Sequence, residues 1–426
     1  MLIFSFSGSV FFMLLQVPLS KKKIEDYRKL IKDDLYQEIK ELAGQFRGLK
    51  IVHINATSLG GGVAEILNTL APLTNDLGIK CQWFVLPPDK KFFTITKKIH
   101  NSLQSEGVIL TSEEKSFYLS KNQEIAGFLE DIKADIWIIH DPQPLALISY
   151  YPKLRPAILR LHIDLSRPQE ETWKFLLPHM QKYDKIIFSI KDFVHGDISK
   201  GKIKIFPPAI DPLSPKNISL NPESSKSILQ DLEINIDKPL ITQVSRFDIW
   251  KDPLGVIRAY YLAKKEIPDL QLALVGLILA RDDPEAMEIF KKVRKHASGD
   301  PDIFMFSDIR KINIENDVLI NAFQVASDVI LQKSIKEGFG LTITEAMWKE
   351  RPVIGGNVGG IKIQIKNGKN GFLVNSPEEA AKRIVQLIKN PGMANQIGKE
   401  AKKTVGEKFL IPRLLRDYLK LFTELI

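Results

Sequence analysis

Short uninterrupted runs of Ile, Val and Leu alternate with longer amphipathic stretches along most of this chain, and the series occurs twice. Runs of that kind suit strands buried on both faces, and the stretches between them are long enough to return as helices. Parallel strands need such crossovers, so the alternation confines the chain to an α/β architecture with parallel sheets. In the first series, a helical lead-in near 24–46 precedes strand candidates at 50–54, 82–85, 136–139, 157–161, 185–189 and 202–206. A glycine run, Gly60-Gly61-Gly62, follows the first of these and opens a helix over 63–73. The second series places strands at 240–244, 270–275, 303–306, 328–332, 352–354 and 371–374. Between the series, residues 216–237 are rich in Ser, Asn, Pro and Asp and read as a connector.

At 426 residues the chain exceeds one ordinary hydrophobic core, which agrees with two domains. The boundaries predicted are 24–215 for the first domain and 238–404 for the second, with a closing helix over 405–426 that crosses back to the first. Residues 1–23 form an apolar extension ending at Lys21-Lys22-Lys23. It lacks the leading positive charge and small-residue site of a signal peptide. Ser5, Ser7, Gly8, Ser9, Gln16 and Pro18 weaken it as a membrane anchor, and a start at Met13 is the alternative. Lys plus Arg number 60 against 51 Asp plus Glu, a net charge of +9 spread along the chain. Without an arginine-rich tract or basic segments interleaved with aromatics, that surplus favours an anionic small substrate over nucleic acid. Cys81 is the single cysteine, which excludes an intrachain disulfide and fits a reducing cytoplasm.

The polar residues fall where a parallel sheet would use them, beyond the carboxyl ends of its strands. Asn55, His140-Asp141-Pro142-Gln143 and His162-Ile163-Asp164 follow strands of the first series. Ser245-Arg246-Phe247-Asp248, leading to Lys251-Asp252, follows the first strand of the second series; Glu337 and the stretch 355–360 follow later ones. Each has a bland reading: a flexible glycine turn, a structural histidine, a turn aspartate, a solvated Arg or Lys. Their joint placement on sheet edges favours a ligand site between two facing domains. The densest segment is Lys336-Glu337-Gly338-Phe339-Gly340-Leu341-Thr342-Ile343-Thr344-Glu345-Ala346, with two carboxylates eight residues apart across a Gly-Phe-Gly turn. Glycines admit a ligand close to the backbone, and the helix start offers N–H groups to an anion, so phosphate and sugar suit it better than a metal. No His or Asp-x-Asp metal-ligand cluster is evident.

These residues carry a resemblance. Ser245-Arg246-Phe247 with Lys251-Asp252-Pro253, Glu337-Gly338-Phe339-Gly340-Leu341 with Glu345-Ala346, and Pro352-Val353-Ile354 through Gly371-Phe372-Leu373-Val374 resemble retaining glycosyltransferases of family 4. Those enzymes have two Rossmann-like doubly wound domains facing across a cleft, the GT-B architecture. In the amino half, Val52-His53-Ile54-Asn55-Ala56-Thr57, Gly60-Gly61-Gly62-Val63, His140-Asp141-Pro142-Gln143 and His162-Ile163-Asp164 are similar to the trehalose glycosyltransferring synthases, as is the run from Ser327 to Ser334. The sequence departs from that pattern at 277–281 and 310–316.

The resemblance implies formation of α,α-trehalose, reversibly, from a nucleoside diphosphate glucose and free glucose, with the donor base, adenine or uridine, left open. It implies Glu337, His162, Arg246 and Lys251 as catalytic groups. Gly61, Gly62, Arg246, Lys251, Gly338, Phe339, Gly340, Leu341, Thr342 and Glu345 would bind the donor, Glu345 through the ribose hydroxyls. Asn55, Asp141, Gln143 and Asp164 would hold the sugars. A front-face mechanism is implied in place of double displacement through a carboxylate. No tightly bound cofactor and no membrane partner are expected; assistance by a divalent cation and assembly as a homodimer stay open. Rival readings are a trehalose phosphorylase using inorganic phosphate, a nucleotide-sugar epimerase, disfavoured by the Glu337 and Glu345 segment, and a non-catalytic sugar sensor.

Overall fold

The computed structural model describes residues 13–104, 107–276, 284–307 and 314–426. The chain forms two compact units, one running to Phe206 and including Leu415–Ile426, the other spanning Pro207–Leu414. The departure noted at 277–281, residues 310–313 of the one at 310–316, and residues 1–12 of the apolar extension lie outside the described residues.

The first unit is built on a seven-stranded sheet of β1 (Leu15–Gln16), β2 (Lys50–Asn55), β3 (Lys80–Val85), β4 (Ile136–His140), β5 (Ala157–Arg160), β6 (Lys185–Phe188) and β7 (Ile203–Ile205). Spatial order is β1-β3-β2-β4-β5-β6-β7, parallel throughout except for β1, which runs antiparallel on β3. Ile51, Val52, Ile54, Ile136, Ile138, Ile139 and Leu159 are fully enclosed, which is why these strands read as unbroken apolar runs. Part of the apolar extension therefore serves as an edge strand, with the Val17 N–H also donating to the Trp83 carbonyl. The end of the helix Ile411–Phe422 belongs to this unit: Tyr418 packs edge-on to Phe206, Phe422 edge-on to Phe46, and Arg416 and Lys420 pair with Glu38.

The second unit has a six-stranded, fully parallel sheet: β8 (Leu240–Val244), β9 (Gln271–Val275), β10 (Ile303–Phe306), β11 (Val329–Gln332), β12 (Val353–Gly356) and β13 (Phe372–Val374), in the order β10-β9-β8-β11-β12-β13. The segment 216–237, whose composition suggests a connector, is part of this unit. Its helix Pro222–Gln230 is capped by the Asn221 side chain, and Leu229 and Ile234 are buried with Leu240, Val244, Leu319 and Phe323. Polar residues on its outer face hide Ile228 and Leu229, and beyond the helix Leu232, Ile234 and Ile236 continue onto the same core. In each sheet the chain reverses direction of strand addition once, between β2 and β4 in the first and between β8 and β11 in the second. Such switch points leave a crevice at the carboxyl ends of the two central strands.

Candidate active site

At the switch point of the second unit, loops from β8, β11 and β12 are tied into one cluster. After β8 the chain makes a short 3-10 turn, Ile249–Lys251, capped by the Asp248 side chain, and then Asp252 takes a left-handed conformation (φ 48°) to cap the helix Pro253–Lys264. This hands Lys251 across to β11, where its Nζ lies 2.5 Å from Glu337 Oε2. The Ser334 hydroxyl donates to the same oxygen at 3.0 Å, and Lys333 pairs with Asp252 in a second link between the loops. From β12, the Gly360 N–H donates to the Glu337 carbonyl at 3.2 Å. Gly356 makes room for this arrangement, since a Cβ there would sit 2.0 Å from the Ser334 carbonyl oxygen. Arg246, by contrast, is 57% exposed and meets the margin of the cluster through Asp248 at 3.3 Å.

Gly338, Phe339 and Gly340 lead from Glu337 into the helix Leu341–Trp348. Gly340 has φ 86°, a region L side chains rarely adopt, and Phe339 is buried against Phe409 at a ring separation of 5.5 Å. Leu341 and Thr342 are half-buried in the first turn, which has no side-chain cap, so its N–H dipoles suit an anion. Glu345 has different surroundings. Its carboxylate is buried, 3.9 Å from Lys216 Nζ and 3.4 Å from Gln324 Nε2. Lys349 donates to Gln324 Oε1, Asn217 Oδ1 and the Glu345 carbonyl, and burial pushes its ammonium down to about 7 against the opposing pull of Glu345. The two glutamates thus sit in separate polar clusters.

In the first unit, Gly60 and Gly61 both have positive φ, and Gly61 caps the 15-residue helix Gly62–Asp76. Asn55 is turned inward rather than presented to a ligand: its Oδ1 accepts from Trp83 Nε1 at 2.6 Å and its Nδ2 donates to the Thr57 carbonyl at 2.7 Å. It holds the glycine loop. Asp164 is likewise buried, accepting from the Ser166 N–H within its own turn. Asp141, half-buried and left-handed (φ 64°), accepts from the His162 N–H at 2.7 Å, and burial raises its carboxyl to about 7. Gln143 is half-buried two residues on, its carbonyl accepting from Asn122 Nδ2.

His162 ends a row of rings. His53 Nδ1 lies 2.9 Å from His140 Nε2, and His140 Nδ1 lies 3.0 Å from His162 Nε2. Burial drives His53 down to about 3 and His140 and His162 well below the ordinary imidazole range, with neighbouring Arg160 adding to the last two, so all three are neutral near pH 7. Among the described residues no group of three or more His, Cys, Asp or Glu is arranged to hold a metal ion, and no helix is long and apolar enough to cross a membrane. Sequence reasoning gave no site role to Lys216, Gln324, Lys333, Ser334 or Lys349, although Lys333 and Ser334, directly after β11, end the run from Ser327 that carries the resemblance.

Two doubly wound α/β units, each with its polar residues gathered at its own switch point, define a glycosyltransferase of the GT-B class. Solved structures agree on the fold: a glycosyltransferase from Rickettsia africae superposes with a TM-score of 0.67 at 21% identity, covering 89% of this chain and 98% of its own. An α,α-trehalose-phosphate synthase from Burkholderia xenovorans does so with a TM-score of 0.70 at 11% identity, covering 88% and 100%. Residues 53–195 match the family described as "Trehalose synthase, N-terminal domain", and 224–404 match "Glycosyl transferases group 1". Within the class, the chain belongs to the trehalose synthase family. It is 44% identical to the trehalose synthase of Pyrococcus horikoshii over 95% of this chain and 97% of that one, and 42% identical to that of Rubrobacter xylanophilus over 97% and 100%. The trehalose phosphorylase of Pleurotus pulmonarius is 31% identical over 82% of this chain but 54% of its own length.

Proposed function

We propose that this enzyme joins glucose from a nucleoside diphosphate glucose to free glucose, forming α,α-trehalose reversibly and with retention. The observation that carries the reading is the Lys251–Glu337 pair at the switch point of the second unit, with the Arg246 guanidinium exposed on the neighbouring loop. Breaking the donor's glycosidic bond builds charge on the β-phosphate, and a point cation beside a planar fork is suited to receive it. N–H groups over Gly338–Thr342 would add fixed dipoles to the same charge, and those at Gly61 and Gly62 are donors of the same kind for a donor anion. Held by Lys251 and Ser334, Glu337 would orient the transferred glucose and stabilise its oxocarbenium-like transition state. Glu345, steadied by Lys216 and Gln324, would take the ribose hydroxyls.

The first unit would supply the sugar contacts. His162 would line the transferred glucose, and Asp141 with Gln143 would orient the acceptor; Asn55 and Asp164 act one step back, fixing the loops. In the front-face reaction the bond from C1 to the phosphate oxygen breaks as the bond to the acceptor oxygen forms on the same face. The acceptor hydroxyl proton passes to the departing phosphate oxygen, so no carboxylate nucleophile is required. Similarity to a phosphorylase makes inorganic phosphate the competing leaving group. Incubating trehalose with a nucleoside diphosphate, and separately with phosphate, decides between them. Nucleotide glucose from the first mixture alone supports this reading, and glucose 1-phosphate from the second overturns it.

A further inference from the structure

The row His53, His140 and His162 spans neighbouring strand ends of β2, β4 and β5, yet only His162 reaches the surface; His53 and His140 are 2% and 1% exposed. Buried imidazoles are costly unless hydrogen-bonded, and here Val52 and Ile54 flank His53 and Ile139 precedes His140, all fully enclosed. Each contact in the row joins nitrogen to nitrogen, so one partner must carry the proton and the other the lone pair. A neutral imidazole has a single N–H. If His162 bears it on Nε2, then His140 accepts at Nδ1 and must bear its own on Nε2, and so must His53. If His53 bears it on Nδ1, all three do. Any mixture sets N–H against N–H or lone pair against lone pair in one of the two contacts.

The rings meet edge to edge and lie close to one plane, the arrangement an in-line N–H···N bond needs. Their centroids are 5.2 Å and 5.3 Å apart with interplanar angles of 28° and 18°, and the Tyr418 ring closes the far side of His53 edge-on at 6.4 Å. A doubly protonated ring would break the coupling, but burial and the enclosed Arg160 guanidinium oppose an added proton. We propose that His53 and His140 are positioning residues that form one tautomeric unit with His162, so that protons on two buried rings decide whether His162 Nδ1 donates to or accepts from a hydroxyl of the transferred glucose. The second half of this statement rests on the sugar contact assigned to His162 above.

The test uses the full chain labelled with ¹⁵N-histidine, His140→Leu to cut the row, and His140→Gln to bridge it, since an amide spaces a donor and an acceptor much as an imidazole does. In the unaltered chain the ring ¹⁵N shifts should give one shared tautomer for all three histidines. In His140→Leu, His162 should show averaged tautomers, and kcat should fall about tenfold, the loss of one oriented hydrogen bond in the transition state, with donor KM little changed. His140→Gln should recover a single His162 tautomer and most of kcat. Different tautomers among the three rings of the unaltered chain overturn the proposal, whether or not His140→Leu folds. So does a fixed His162 tautomer in His140→Leu, or unchanged kcat once that tautomer is scrambled. Failure of the unaltered chain to make trehalose would sink the functional reading and this role for His162, while the shift measurement on the ligand-free chain would still report the coupling.

Discussion

Arg246 and Lys251 are assigned the same task, stabilising the departing diphosphate, but the structure gives them opposite structural weight. Arg246→Ala removes a side chain that is 57% exposed and, among the described residues, pairs with Asp248 at 3.3 Å. Exposed pairs contribute at most about 1 kcal/mol, so unfolding in urea should keep its midpoint within about 0.5 kcal/mol of the unaltered chain at constant slope. Lys251→Ala acts on a pair whose side chains are 19% and 10% exposed and strands the Glu337 carboxylate on the Ser334 hydroxyl. That loss falls between the surface and fully buried cases, roughly 2–4 kcal/mol. Both variants should lose about 10²–10³ in kcat, or about 2.7–4 kcal/mol of transition-state stabilisation. The paired assay is initial-rate kinetics beside equilibrium unfolding. Near-normal turnover in either variant refutes the assignment. If Arg246→Ala instead destabilises the fold as much as Lys251→Ala, its lost rate reports damage rather than diphosphate contact.

Asp141, raised by burial from 3.8 to about 7, binds its proton more tightly folded than unfolded, so its contribution to stability is complete below pH about 4 and lost as pH rises through 7. Asp141→Asn, which keeps the acceptor for the His162 N–H, should abolish that loss and be more stable at pH 8 by roughly 2–4 kcal/mol, read by urea titration across pH; equal stability of both chains at pH 8 contradicts the burial argument. Lys349 has the opposite sign: with its ammonium pushed from 10.5 down to about 7, the unfolded chain binds more protons between those values and stability rises with pH. Lys349→Met should flatten that slope by up to roughly 1.4 kcal/mol per pH unit, and an unchanged slope would show that the ammonium is not desolvated. Gly356→Ala should displace the loop bearing Ser334 and Glu337 and lower both stability and kcat, because its Cβ meets the Ser334 carbonyl at 2.0 Å. Gly392→Ala, in open space on the helix Pro391–Lys408, should be stabilising by about 0.5–1 kcal/mol, so a thermal shift of the same sign for both would undercut the packing account.

The sheets were legible because both-face burial writes itself into apolar runs, unbroken at Ile136–Ile139 and at Val329–Leu331. The edge strand Leu15–Gln16 was not, since a two-residue antiparallel pairing with Val85 and Phe84 is decided by the partner rather than by local pattern. The helix Pro222–Gln230 was masked by Ser, Asn and Pro that occupy its cap and outer face. At the site, position after a strand end identified Lys251, Glu337, Asp141 and His162. Contacts could not be read that way. Lys216 and Gln324 reach Glu345 from two other elements, Lys349 closes the helix of Glu345 four residues on, and nothing near Asn55 in sequence announces that Trp83 will occupy its side-chain oxygen. His53, quoted for the resemblance, was given no site role: it is a single polar residue within an apolar strand whose meaning depends on His140, 87 positions away.

The most direct test of the account is product analysis after incubating the purified chain with ¹³C-labelled glucose and each of a panel of nucleoside diphosphate glucoses. The account predicts a non-reducing disaccharide, α,α-linked through both anomeric carbons, that carries the label in one ring and appears with release of the nucleoside diphosphate. Failure of every donor to yield a disaccharide, or a product with an inverted anomeric centre, would contradict it.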